Sequence, residues 1–142
     1  MIGAYYKRLT STDEDIRLAA ACAWTSWEGR TLSLLSDHDR KRYCTADHYA
    51  LALARIECHY VLHGGFFEDD GQLLRNAERL SAIPGTIVHG RYDVVTPMKN
   101  AFDLSNAWPS AALRVVSDAG HAMTEPGIVH ALIAATRIYA GD

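Results

Sequence analysis

Thr86-Ile87-Val88-His89-Gly90-Arg91-Tyr92-Asp93-Val94-Val95-Thr96-Pro97 decides how the chain is read. A short apolar run ends at a glycine and delivers an aspartate into a loop, which a proline closes before a helical pattern begins. A second unit of the same form follows: Leu113-Arg114-Val115-Val116, then Ser117-Asp118-Ala119-Gly120-His121. Each predicts a strand and a loop carrying one ionisable residue. Open α/β sheets place their chemistry beyond the carboxyl ends of the strands, so Asp93 and His121 are the candidate catalytic pair. Acid before histidine is the order of the last two members of a Ser…Asp…His series. There the carboxylate holds the histidine in the tautomer whose other nitrogen takes a proton from a nucleophile. Alone, Asp93 reads equally as a helix cap and His121 as an ordinary loop histidine. Placed after successive strands, the two together are more specific.

Working outward, helical patterns over about Met98 to Trp108 and Gly127 to Tyr139 alternate with the strands, as in βαβ units of a parallel sheet. Two parallel strands do not make a self-sufficient sheet. Further strands are expected, from a missing N-terminal part of the same protein or from another chain, so the sequence reads as a fragment. Before Ile83-Pro84-Gly85 the texture is helical. Ser11-Thr12-Asp13-Glu14 predicts a capping box. The helix after it carries Ile16, Ala20, Ala23, Trp24 and Trp27 at helical spacing, and Gly29 can end it in a left-handed cap. Residues 30–45 read as a loop. A second helix spans about Ala46 to Leu62, with Ala50, Leu53, Ala54, Tyr60 and Val61 on its apolar side, and Gly64-Gly65 breaks it. A third covers about Gly71 to Leu80. The division is therefore a helical module, residues 1–83, and an α/β segment, residues 84–142.

With 142 residues, 49% hydrophobic and 22% charged, the chain is long and apolar enough for one globular domain rather than a disordered segment. A formal net charge of −3 gives no reason to expect nucleic acid or an acidic membrane surface as partner. No apolar run approaches a bilayer span, and MIGAYYKRLT lacks the apolar core of a signal peptide. Cys22, Cys44 and Cys58 are odd in number and widely spaced, which fits a reducing, cytoplasmic setting.

Other residues bear on chemistry. Glu57 falls beside the apolar stripe of its helix, where a carboxylate has to be paired. Glu28 follows Trp27 near the end of the first helix. A salt bridge or a solvated helix end is the plain reading of each. Cys58, His59 and His63 lie close together, but no second ligand pair completes a tetrahedral metal set. None of the serines has the flanking glycines of a nucleophile elbow. His63-Gly64-Gly65 follows a helix rather than an early strand and reads as a helix end. Trp24, Trp27, Tyr60, Phe66 and Phe67 can line an apolar pocket or plain core.

HGRYDVVTP and DAGHAMTEPGI resemble the C-terminal part of the prolyl aminopeptidases (proline iminopeptidases), α/β-hydrolase-fold serine peptidases. AWTSWEG, ALALARIECHY, GGFFEDDGQLLRN and DLSNAWP resemble segments of the same family, so the resemblance covers almost the whole chain. It implies that Asp93 and His121 are the acid and base of a Ser-Asp-His triad, and that residues 1–83 are most of a helical cap over the active site. It also implies that Glu28 and Glu57, at the WEG and ARIE positions, bind the charged secondary amine of an N-terminal proline. Two carboxylates in a closed pocket suit such a cation. The implied partners are a peptide with N-terminal proline and the missing N-terminal half of the hydrolase fold; no metal or organic cofactor is implied. The family's GGSWGS elbow and HGGPG-like oxyanion loop have no counterpart in this sequence, so the chain alone is expected to be inactive. Two alternatives remain at this stage. One is a non-catalytic remnant or interaction module; the other is an esterase or epoxide hydrolase of the same fold.

Overall fold

The computed structural model describes residues 1–34 and 47–140, with the backbone alone at 47 and 48. Contacts divide these residues into two units, 1–30 with 47–70 and 31–34 with 71–140.

The first unit is helical: α1 (Ile2–Leu9), α2 (Glu14–Thr31, whose last residue passes into the second unit) and α3 (Asp47–Leu62). Its core is made largely of small side chains. Ala50, Ala54 and Cys58 recur every four residues on α3 and are fully buried, with Leu9 of α1 and Ala20 and Ala21 of α2. Ile2, Tyr5, Tyr6, Trp24 and Leu51 pack around them. The seam shares Ala20, Ala50 and Ala54 with the stripes expected from the sequence but is turned from their large members. On α2, Ile16 and Trp27 are exposed, and on α3 so are Tyr60 and Val61. Small side chains on α3 let its backbone approach that of α1, while those four large side chains are left on the outer faces. The N-terminus of α2 also differs from the expected box. Asp13 is the cap, its Oδ1 accepting from the Asp15 and Ile16 amides at 3.0 and 3.3 Å. Ser11 Oγ instead accepts from the Asp13 amide, which holds Asp13 at the position before the helix. Gly29 does not end α2; the helix runs to Thr31, since an interior glycine costs only about 1 kcal/mol and surrounding packing outweighs that. The predicted break after α3 is present: Gly64 and Gly65 take φ of +59° and +65°, open to glycine without a Cβ clash.

In the second unit, α4 (Gln72–Arg75) is followed by a single 3₁₀ turn, Ala77–Leu80. The one helix expected over Gly71 to Leu80 is divided at Asn76, which sits at φ −91°, ψ 0°. Next come β1 (Gly85–Gly90), α5 (Met98–Ala107), β2 (Ala111–Val116) and α6 (Pro126–Ala140). The strands run parallel, with Gly85 opposite Ala111 and Gly90 opposite Val116, and both helices contact both strands. The architecture is thus mixed α/β, a small parallel sheet with flanking helices. Among the described residues the sheet has two strands. Residues before Pro84 are tied to it: Trp108 Nε1 and Ser110 Oγ each donate to the Ile83 carbonyl at 2.8 Å. No described helix is long and apolar enough to cross a membrane. Most of the 30–45 loop reading, and Cys44, fall outside the described residues; among the described residues Cys22 and Cys58 are in no disulfide.

Candidate active site

β1 ends at Gly90 and β2 at Val116, and the chain beyond each end turns into a loop. The loops are laced together by their backbones. Arg91 donates its amide to Val116 O at 2.9 Å, and Tyr92 donates to Ala119 O at 3.0 Å. That lacing brings Asp93 and His121 side by side.

Asp93 is 8% exposed, and its two oxygens do different work. Oδ1 accepts from the Val95 and Thr96 amides at 2.9 and 2.8 Å, the turn-capping role that is the plain reading of an acid at a strand end. Oδ2 lies 2.8 Å from His121 Nδ1 and accepts from the Thr96 hydroxyl at 2.8 Å. Cap and histidine partner are therefore one residue. Burial pushes the Asp93 carboxyl up, but the Thr96 amide, His121 and the Thr96 hydroxyl outweigh it, so the carboxyl titrates below its ordinary range. His89, on β1, donates from Nε2 to the Thr96 carbonyl at 2.9 Å, and the same nitrogen is 3.5 Å from Asp93 Oδ2.

The His121 backbone is held from two sides. Its amide and that of Ala122 both donate to the Leu32 carbonyl, at 2.9 and 2.8 Å. Glu125 braces the loop, with Oε1 accepting from the Gly120 amide at 2.9 Å and Oε2 from the Leu34 amide at 3.4 Å. The His121 side chain is about one-third exposed. An imidazole whose Nδ1 faces a buried carboxylate and whose far side reaches solvent can accept a proton at Nε2 and return it.

The acids of the helical unit also meet. Trp24 Nε1 donates to Glu57 Oε2 at 2.9 Å, which supplies the partner that a carboxylate beside an apolar stripe requires. Glu28 is pushed up to about 7, by burial first and then by the hydrogen bond and the charge of Glu57, with the Trp24 N–H pulling the other way. Burial and the neighbouring carboxyl of Glu57 thus let Glu28 hold its proton near neutrality. On the neighbouring face of α1 and α2, Ile2, Tyr5, Ala23, Trp24 and Trp27 line a mostly apolar cleft of about 210 Å³.

Cys58 is turned into the helical core, where burial raises its thiol, while His63 Nδ1 is 2.8 Å from the His59 carbonyl. Among the described residues no group of three or more His, Cys, Asp and Glu side chains is placed to hold a metal ion. Sequence reasoning did not find Thr96, His89, Leu32 or Glu125. Thr96 alone left a signal, three residues after Asp93 at the close of the same loop. Leu32 meets the histidine loop, and Glu125 meets Leu34, through contacts about ninety residues apart in the chain, which no local pattern encodes.

No family model matches the chain. Its curated relatives are more informative. It is 54% identical to the proline iminopeptidase of Xylella fastidiosa over 136 residues, which is 96% of this chain and 44% of that protein. It is 47% identical to the proline iminopeptidase of Arabidopsis thaliana over 135 residues, 95% of this chain and 36% of that protein. With the proline iminopeptidase of Neisseria gonorrhoeae the identity is 40% over 136 residues, 95% of this chain and 42% of that protein. The chain thus spans less than half the length of these relatives, and the matched region takes in the Asp93, His121, Glu28 and Glu57 segments. On this similarity the chain is a homologue of the proline iminopeptidases, over part of their length.

Proposed function

We propose that the chain is the C-terminal part of a cytoplasmic prolyl aminopeptidase, a serine hydrolase of the α/β-hydrolase fold that releases proline from the N-terminus of peptides. In this reading residues 1–83 are most of a helical cap, and residues 84–142 are the last strands, the acid and histidine loops and the final helix. The observation that carries it is the 2.8 Å contact between Asp93 Oδ2 and His121 Nδ1, found in a chain homologous to proline iminopeptidases over nearly its whole length.

Asp93, kept ionised by its donors, orients His121 and stabilises the imidazolium that forms when Nε2 takes the proton of the attacking hydroxyl. His121 then gives that proton to the departing amine. Glu28 and Glu57 hold the substrate's charged secondary amine, which selects for a free N-terminal proline. The nucleophile and the oxyanion donors belong to an N-terminal half outside this sequence. Loss of a nucleophile costs many orders of magnitude in rate, so the 142 residues are inactive by themselves. Neither nucleic acid nor a membrane has a part in this reading.

The test is hydrolysis of a chromogenic proline amide by the purified chain, alone and mixed with an N-terminal half made from a related proline iminopeptidase. Activity in the mixture alone, abolished by His121→Ala, is the expected result. Activity of the chain alone that survives a serine-directed inhibitor would overturn the triad assignment.

A further inference from the structure

Thr96 uses every polar atom it has on the Asp93–His121 pair or its support. Its amide donates to Asp93 Oδ1 at 2.8 Å and its hydroxyl to Asp93 Oδ2 at 2.8 Å. Its carbonyl accepts from His89 Nε2 at 2.9 Å, and its Oγ1 lies 3.2 Å from His121 Nδ1. A hydroxyl has one proton. With that proton committed to the Asp93 carboxylate, Thr96 Oγ1 can only accept from His121. Nδ1 of His121 therefore faces two oxygens, neither of which can donate to it.

We propose that Thr96 is a positioning residue of the Asp93–His121 pair. Its hydroxyl anchors Asp93 Oδ2 and leaves His121 Nδ1 among acceptors alone, so the imidazole carries its proton on Nδ1 and keeps Nε2 free as the base. His89 supports this from behind. Because its acceptor is a carbonyl, its Nε2 is the protonated nitrogen, and the bond fixes the Thr96 backbone from which the hydroxyl is aimed. The catalytic meaning of this role rests on the peptidase reading above, whereas the geometry does not. Thr96 acts on the reacting histidine through Asp93 and has no part in the bond changes themselves.

The test is nitrogen and carboxyl-carbon NMR titration of the full 142-residue chain, comparing wild type, Thr96→Val and Thr96→Ser. The titratable groups facing Asp93 among the described residues are His121 and His89, and both are followed. In Thr96→Val, which keeps the branched shape and loses the hydroxyl, the Asp93 midpoint moves up and the Nε2–H tautomer of His121 becomes detectable. In Thr96→Ser, which keeps the hydroxyl, both stay as in the wild type. Either reading unchanged in Thr96→Val overturns the proposal, and so does a Thr96→Ser chain that shifts as far as Thr96→Val. Thr96→Ala repeats the comparison without the added methyl if that group disturbs the loop. No activity is needed for these readouts. Failure of the mixed halves to release proline would therefore count against the peptidase reading and leave the role of Thr96 separately decided.

Discussion

A Cβ on Gly90 would sit 1.9 Å from the carbonyl oxygen of Gly120 and 2.7 Å from that of Ala119. The end of β1 and the loop before His121 are in backbone contact, and only a residue without a side chain permits it. The atoms in the way are main chain and cannot swing aside. Gly90→Ala therefore forces apart the loops that carry Asp93 and His121. The expected loss is about 1–3 kcal/mol of stability, the usual range for overpacking, read as a lower urea midpoint. The His121 resonances shift with it, whereas Gly3→Ala, with open space around its site, moves neither.

Glu125 ties the Gly120 and Leu34 amides together. Glu125→Ala leaves the part-buried Gly120 amide without its acceptor, a loss expected to cost about 1–3 kcal/mol. Amide exchange at Gly120 quickens most, followed by Leu34. Retention of wild-type protection at both amides would show that the brace contributes nothing.

The helical unit carries a pH dependence of its own. An acid whose folded value is raised binds more protons folded than unfolded, so stability falls as pH rises through the window between the two values. For Glu28 that window runs from its ordinary 4.5 to about 7. Glu28→Gln removes the charge that the site resists, so it raises the melting temperature at pH 8 and leaves it near wild type at pH 5. A gain of about 2–4 °C is expected for a fraction of a kcal/mol to one kcal/mol, since water screens part of the effect. Under the proposed function the same change raises KM for proline amides in the mixture with the N-terminal half. An equal effect of Glu28→Gln at both pH values would contradict the raised Glu28 value.

Much of this was legible in the sequence, for identifiable reasons. Apolar runs ended by Gly90 and by the polar stretch after Val116 marked both strands, and the glycines at 64 and 65 marked the end of α3. The pairing of Asp93 with His121 followed from where each stands after its strand. The helical seam was legible only in part, at Ala20, Ala50 and Ala54, because it runs over small residues. Ala50, Ala54 and Cys58 carry a weaker hydrophobic signal than Tyr60 and Val61, yet they are the ones buried. Asp13 took the cap from Ser11 because Ser11 Oγ is occupied by the Asp13 amide, a competition that the motif alone does not decide. The supports of His121 come from Leu32, Leu34 and Glu125, whose mutual contacts form only on folding.

The central claim is that Asp93 holds His121 with the proton on Nδ1 and Nε2 free. Nitrogen-15 NMR of the His121 ring in the intact chain, with Asp93→Asn alongside, tests it most directly. The neutral ring of the wild type is predicted to be the Nδ1–H tautomer. In Asp93→Asn, an amide that turns its N–H toward the ring converts His121 to the Nε2–H form, a change that in a working triad costs roughly 10⁴-fold in kcat. A wild-type chain in the Nε2–H form, or an Asp93→Asn chain with an unchanged tautomer, would contradict the account.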